Sequence, residues 1–235
     1  MISVILPTKN EPKVSELIAS IRKELEKLGE EYEILVVDKS SDDTPEKARL
    51  AGAKVLKQES DGLGNAIKEG VALARGGVIL VMDADFSHDP RHIPTFLKKI
   101  KSVDIVVGAR KVPGGNVIGW SWRRKLISWA ANFLARALGG INVPDATSGY
   151  RAYRKGVFKE VDLESLRARG FEFQVEVLGR ALEKGLKVAI VPIIFRDRSY
   201  GRSKLSVKDI LGFLSVCLNL RARRARSVFS RITTP

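Results

Sequence analysis

Short apolar runs separated by stretches of helical spacing constrain this chain more than any other feature. Residues 2–6, 34–37, 54–56, 78–82 and 105–107 read as strands. Between the first two, Val14, Leu17, Ile18, Ile21, Leu25 and Leu28 recur at helical spacing. A helix over 45–51 follows, with Thr44 as N-cap and Pro45 at the first helical position. Residues 65–74 and 90–100 are also helical by pattern. Repeated β-α-β of this kind dictates an α/β fold. Its sheet is mainly parallel, with right-handed crossovers and helices on both faces.

The second half is less regular. A long helix is expected over 122–138, stopped by Gly139-Gly140, and another over 171–182. The strand 188–194 is interrupted by Pro192, which confines it to an edge or bends it. Residues 205–220 form an amphipathic helix through Val207, Ile210, Leu211, Leu214 and Leu218, with a basic continuation. Two parts are therefore expected: a catalytic domain over 1–204 and an amphipathic, basic tail over 205–235.

Composition narrows the partners. The formal charge is +14, and ten Lys/Arg against two Asp from Arg196 onward place +8 of it in the last forty residues. Such an excess suits anionic partners. The tail's longest uncharged run, 210–220, falls short of the about 20 residues that span a bilayer. Strand-like residues 2–6 lead straight into Pro7 and a polar loop, so no secretory signal is read. The single cysteine, Cys217, excludes an intramolecular disulfide and a multi-cysteine zinc site. These features leave nucleic acid, phosphorylated substrates and anionic lipid open as partners; if the partner is lipid, a peripheral protein at the cytoplasmic face of a membrane is expected. It would be held by an anionic surface or by a small membrane subunit.

The chemistry concentrates at strand ends. Asp83-Ala84-Asp85 follows the run 78–82, and open α/β sheets bind ligands at the carboxyl ends of their strands. Two acids there can hold a hard divalent cation, which in turn clamps a diphosphate; they can equally cap the next helix, with Asp89-Pro90 as its start. Asp38 ends the second strand, and Lys9-Asn10-Glu11 follows the first. Asp38 or Glu11 can accept hydrogen bonds from a nucleobase or ribose. The first loop lacks the glycine fingerprint of a dinucleotide site, which argues against a nicotinamide dehydrogenase.

The ordered segments Pro7-Thr8-Lys9-Asn10-Glu11, Asp38 with Ser40-Ser41-Asp42-Asp43-Thr44, Gly62-Leu63-Gly64-Asn65-Ala66 and Asp83-Ala84-Asp85-Phe86-Ser87-His88 resemble the motifs of inverting GT-A, family 2 glycosyltransferases. Within them, the chain is most similar to the polyprenyl-phosphate sugar transferases typified by dolichol-phosphate mannose synthase. Gly108-Ala109-Arg110, Arg124-Lys125-Leu126-Ile127-Ser128, Ser148-Gly149-Tyr150-Arg151, Phe171-Glu172-Phe173-Gln174-Val175-Glu176 and Arg198-Ser199-Tyr200-Gly201-Arg202-Ser203-Lys204 extend the likeness to about residue 210.

The resemblance implies a GT-A fold that transfers a sugar with inversion to a polyprenyl (dolichyl) phosphate. Its expected donor is GDP-mannose. It implies a donor pocket from Pro7, Lys9, Glu11, Val36, Asp38, Asp83, Ala84 and Asp85, with Arg110, Arg198 and Lys204 on the donor phosphates. It implies a divalent metal, Mg or Mn, on Asp83 and Asp85 assisted by Ser87. Arg110, Arg124 and Ser128 would receive the acceptor phosphate, and Asp85, Arg110 and Arg124 would carry the catalytic role. Two positions depart from the pattern: Lys9 stands where an aromatic residue is usual, and Lys39 replaces the second acid of an Asp-Asp pair.

Asp145, Glu172 and Glu176 are expected to be structural, and His88 and His92 to be exposed and non-catalytic. Trp120, Trp122 and Trp129 read either as core or as an interfacial anchor. The competing readings are another nucleotide-sugar transferase, of the dolichyl-phosphate glucose type or acting on a soluble saccharide, and a basic nucleic-acid-binding protein. The last lacks any recognisable nucleic-acid module.

Overall fold

Alternate residues of the central strands supply two separate cores, one on each face of a single sheet. The computed structural model describes residues 1–197 and 206–233, with side chains as far as residue 226. Its first half runs β1 (Ile2–Thr8), α1 (Val14–Glu26), β2 (Tyr32–Asp38), α2 (Thr44–Leu50), β3 (Lys54–Lys57), α3 (Leu63–Leu73), β4 (Val78–Val81), α4 (Ile93–Ile100) and β5 (Ile105–Ala109). The second half adds β6 (Asn116–Ile118), α5 (Trp122–Ala137), β7 (Arg151–Arg154), α6 (Gly156–Glu160), α7 (Phe173–Glu183), β8 (Val188–Pro192), β9 (Ile194–Arg196) and α8 (Val207–Thr233).

Among the described residues, seven strands form the main sheet in the order β3-β2-β1-β4-β7-β5-β8. Its pairs are parallel except those of β7, which runs antiparallel to both β4 and β5. Ile5, Leu35, Val37, Ile79, Val81, Ile105 and Val107 face a core shared with α3 and α7. Val4, Leu6, Ile34, Val36, Leu80 and Val106 face the opposite core, shared with α1 and α4. Burial on both faces is why these strands read as continuous apolar runs. The mainly parallel α/β sheet expected from the sequence is the observed one.

Several local expectations shift. The helix expected from residue 90 opens with a 3-10 turn, Pro90–His92, capped by the Asp89 side chain, and α4 proper begins at Ile93. Asp43, not Thr44, is the N-cap residue of α2, and the Thr44 hydroxyl instead accepts from the Glu11 amide at 2.9 Å. That bond ties the loop after β1 to the loop after β2. Pro192 splits the expected strand 188–194: β8 pairs at the sheet edge, and β9 leaves to pair with β6.

The strand β7 was not legible as a strand. It is fixed by Arg151, a fully buried arginine whose guanidinium donates to the carbonyls of Ser148, Gln174 and Ala146. These bonds pin the 145–148 loop to α7 and set the strand between β4 and β5.

The tail helix is longer than expected, because the basic continuation is helical too. Val216 and Leu220 join the α7-side core, with Leu220 against Gly179. Arg223 pairs with Glu183 at 3.0 Å, and Arg224 donates to the Gly140 carbonyl at 2.6 Å. The middle turns of α8 are thus fastened to the body, while Arg221 and Arg226 remain exposed.

Replacing Arg151 with Met should destabilise the fold by at least about 3 kcal/mol, because three buried carbonyls lose their donor. Urea unfolding followed by far-UV circular dichroism checks this; an unchanged midpoint would contradict the role given to Arg151.

Candidate active site

Parallel β1, β2, β4, β5 and β8 point their carboxyl ends to one rim, and the amino end of antiparallel β7 joins them there. Thr8 and Asp38 are register partners at the last pair of β1 and β2. Asp38 is buried, and its carboxylate accepts from Thr8 Oγ1 at 2.7 Å, Ser40 Oγ at 2.6 Å and the Ser40 amide at 3.1 Å. Its orientation is therefore set before any ligand arrives. Lys39 forms an ion pair with Asp61, and the Asp61 carboxyl is held below its ordinary value by Lys39 and, less strongly, by Lys9. The two unusual lysines thus share one acid at the rim. Pro7 lies partly exposed at the same edge, whereas Val36 is wholly buried in the core below it.

The loop after β4 carries the paired acids. A cleft of about 290 Å³ runs between it and the loop after β1, lined by Glu11, Lys13, Glu16, Ala84, Asp85 and Phe86. Asp83 and Asp85 are both partly exposed, whereas the Ala84 side chain between them is buried. Asp85 Oδ1 accepts from the Ser87 amide at 3.0 Å, and Phe86 between them sits at φ 61°, a left-handed conformation uncommon for a bulky residue. Ser87 Oγ is buried without a hydrogen-bond partner. An orphaned hydroxyl beside two partly exposed carboxylates fits a hard-cation site completed by ligand oxygens. Among the described residues, no three His, Cys, Asp or Glu side chains converge as a metal cluster. Any ion here would draw its remaining ligands from elsewhere.

His88 corrects an expectation. It is buried at 1% exposure, not exposed. Its Nδ1 accepts from the Asp83 amide at 3.0 Å, and burial lowers its pKa against the opposing pull of Asp83 and Asp85. An Nδ1 that accepts an amide proton is unprotonated, so His88 is a neutral ring that braces the Asp83 backbone. It stacks on Tyr150 at 4.9 Å and meets Phe195 edge-on at 5.4 Å. Gly149 lies against Asp83, where an added Cβ would come within 3.4 Å of Oδ1.

From Phe195 the aromatic contacts continue to Trp120 at 5.4 Å. Trp120 carries two guanidiniums on its ring, Arg124 at 4.5 Å and Arg110 at 5.1 Å. Each is also matched to an acid. Arg110 donates through Nε and Nη2 to the two Asp145 oxygens at 2.7 and 2.6 Å, and its backbone amide donates to Oδ2 at 2.7 Å. This pair is buried. Arg124 meets Asp197 at 2.5 Å, with both side chains about one-third exposed (36% and 31%). Ser128, one turn along α5, accepts from Lys111 Nζ at 2.8 Å. The structure thus gathers Arg110, Arg124 and Ser128 into one cluster beside the paired acids. Arg198 and Lys204 lie outside the described residues.

Sequence reasoning missed Lys111, Asp197 and the buried state of His88, and left Asp145 without a partner. Only position after a strand end could have flagged Lys111. The Arg124–Asp197 pairing spans 73 residues and has no local signal.

The fold and site define a GT-A glycosyltransferase. Glucosyl-3-phosphoglycerate synthase from Mycobacterium tuberculosis, solved with Mn2+, uridine diphosphate and phosphoglyceric acid, superposes with a TM-score of 0.70 at 22% identity. The match covers 92% of this chain and 78% of that one. The model of glycosyl transferase family 2 matches residues 3–162, and the chain belongs to that family. Among curated relatives, an undecaprenyl-phosphate mannosyltransferase of Micrococcus luteus is 38% identical over 215 residues, covering 86% of each protein. A polyprenol monophosphomannose synthase of Mycolicibacterium smegmatis is also 38% identical, over 88% of this chain and 82% of its own.

Burial alone would raise the Asp145 carboxyl, but the Arg110 hydrogen bonds and charge outweigh it and hold it below its ordinary value. A depressed carboxylate contributes stability that is fully present above about pH 3.9 and is lost as pH falls through the folded-state value. Asp145→Asn should therefore lose less stability than the wild type between pH 6 and pH 3. Urea midpoints at the two pH values measure it, and equal losses would refute the assignment.

Proposed function

We propose that this enzyme transfers a sugar, mannose from GDP-mannose, with inversion onto a polyprenyl phosphate. One observation carries the reading. Both carboxylates on the acceptor side, Asp145 and Asp197, are committed to guanidiniums. A sugar hydroxyl needs a base to become a nucleophile, whereas a phosphate monoester already carries roughly −1.5 to −2 charge at pH 7. A cation-rich pocket whose acids are engaged suits the second. The curated relatives, named for polyprenyl-phosphate mannosyl transfer, support the same acceptor and sugar.

In this mechanism the nucleotide lies along the β1–β2 rim, with Asp38 and Glu11 accepting from base or ribose and Pro7 and Lys9 flanking it. Asp83 and Asp85, with the unpartnered Ser87 hydroxyl, are the residues that would hold a divalent cation, which supplies charge neutralisation to the leaving diphosphate. The neighbouring synthase was solved with Mn2+ and uridine diphosphate, which supports a metal here. Arg198 and Lys204 add cations for the donor phosphates. Arg110, Arg124 and Ser128 orient the acceptor phosphate for in-line attack at the anomeric carbon. No proton need be removed, so the catalytic burden falls on orientation and charge.

The acceptor's lipid tail requires a membrane beside α5. Trp122, Leu126, Trp129 and Phe133 recur along α5, all at least half exposed, and the helix carries Arg123, Arg124, Lys125 and Arg136 with no acid. Among the described residues no helix is long and apolar enough to cross a membrane. The enzyme would sit peripherally on the anionic cytoplasmic face, with each basic residue worth about 1 kcal/mol near the surface. A small membrane subunit is an alternative seat for the same surface.

Two experiments test the reading. A panel of nucleotide sugars incubated with polyprenyl phosphate and Mg2+ or Mn2+ should yield a lipid-linked mannose from GDP-mannose. Asp85→Ala should lower the rate by about a hundredfold or more at unchanged melting temperature. Full activity of that variant, or in excess chelator, would remove the metal from the mechanism. In the second, phosphatidylglycerol vesicles should float the wild type at low salt. A Trp122→Ser/Trp129→Ser variant should partition at least about tenfold less, given about 1.5–3 kcal/mol per large apolar side chain buried. Equal flotation would take α5 off the membrane.

A further inference from the structure

We propose that Lys111 is a direct ligand of the acceptor phosphate and supplies the least compensated cation of that site. The inference rests on the lipid-phosphate reading above and adds a residue to it. Three cations converge around Ser128 and Trp120, and they differ in what already occupies them.

Arg110 is buried, clasped through Nε and Nη2 by Asp145, and donates from Nη2 to Thr147 Oγ1 at 3.2 Å as well. Its guanidinium face lies over Trp120 and Phe195. A buried pair of this kind is costly to break, so Arg110 acts chiefly as a fixed wall with its charge matched. Arg124 is open to solvent, but Asp197 holds it at 2.5 Å. Each guanidinium therefore brings a carboxylate with it.

Lys111 does not. Its amine donates to the neutral hydroxyl of Ser128, and the side chain stays solvent-accessible. The surroundings of that amine are unfavourable to its charge: burial lowers its pKa, Arg110 lowers it further, and only Asp145 opposes. An ammonium so placed gains from an incoming anion what it lost in hydration. One further donor in the same cluster awaits a partner: Trp120 Nε1 is buried without a hydrogen bond.

A phosphate dianion at Ser128 would take the hydroxyl as one donor and the Lys111 ammonium as a compact point charge, with Arg124 as the planar partner. Lys111 and Ser128 are already in contact, so the lysine needs no rearrangement to reach that anion. The site then selects a terminal monoester, whose two charges meet two accessible cations, over a singly charged diester.

Calorimetric titration of farnesyl phosphate, with GDP titrated in parallel, tests this on the full chain. Lys111→Met and Lys111→Gln should both weaken farnesyl phosphate by about ten- to a hundredfold, the range for a hydrogen bond to a charged group, and leave GDP affinity unchanged. Lys111→Arg should stay within about threefold of wild type, since charge is what it restores. Gln can keep a hydrogen bond to Ser128 without charge. A Gln variant that binds like wild type would therefore reduce Lys111 to a structural contact and overturn the proposal. Equal weakening of GDP would overturn it too, by moving Lys111 to the donor side. A wild type that binds GDP but not farnesyl phosphate would instead sink the lipid-phosphate reading, and this proposal with it.

Discussion

The buried pair of Arg110 and Asp145 joins the end of β5 to the loop that precedes β7, and the rest of the site depends on it. Asp145 adopts φ 56°, so the loop turns there to present its carboxylate to the Arg110 side chain and amide together. Two residues of loop separate Asp145 from Ser148, whose carbonyl is held in turn by Arg151. The chain of bonds runs from β5 through the loop into β7 and α7. Removing one member would leave a charge stranded at near-zero exposure, which is why such pairs are hard to dismantle once built.

That anchor fixes Arg110 over Trp120, and the aromatic chain Trp120–Phe195–His88–Tyr150 carries the alignment across to Asp83. The acid half and the cation half of the rim are therefore one packed unit, not two loops that meet by chance. Opposite charges brought so close would collapse onto each other if they were mobile. Here the guanidiniums have carboxylates of their own, and Asp83 is braced from behind by a neutral imidazole. Under the proposed function, this keeps the two halves apart for substrates that carry the complementary charges.

Much of this was legible in the sequence. The parallel strands declared themselves because both faces are buried, and the paired acids because they directly follow such a strand. The strand β7 did not, since Arg151-Ala152-Tyr153-Arg154 begins and ends with charge. Nothing local says that an arginine will be wholly buried and satisfied by three carbonyls from two other segments. His88 was misread for a related reason: its burial comes from Tyr150 and Phe195, far along the chain. Lys111 and Ser128 are 17 residues apart, and their contact exists only because β5 and α5 are brought together by the fold. Local chemistry was readable where strand geometry alone determined it, and unreadable where pairing was long-range.

The helix α5 shows how the fold can serve lipid and phosphate at once. Among its sixteen residues only Ala135 is buried, while Trp122, Leu126, Trp129 and Phe133 face outward. An ordinary surface helix does the reverse, turning its apolar stripe to the core. Apart from Ala135, which joins the α7-side core, what ties α5 to the body is polar: Arg124 to Asp197, Lys111 to Ser128, and Asn132 to Thr147. A helix held by its polar groups keeps them turned toward the rim, where a phosphate would arrive. Its apolar groups are then left for a different medium, and exposing them to water costs about 25 cal/mol per Å². That cost is recovered only where the outer face meets something apolar, so under the proposed function the same inversion that builds the anion site also directs the molecule to a membrane.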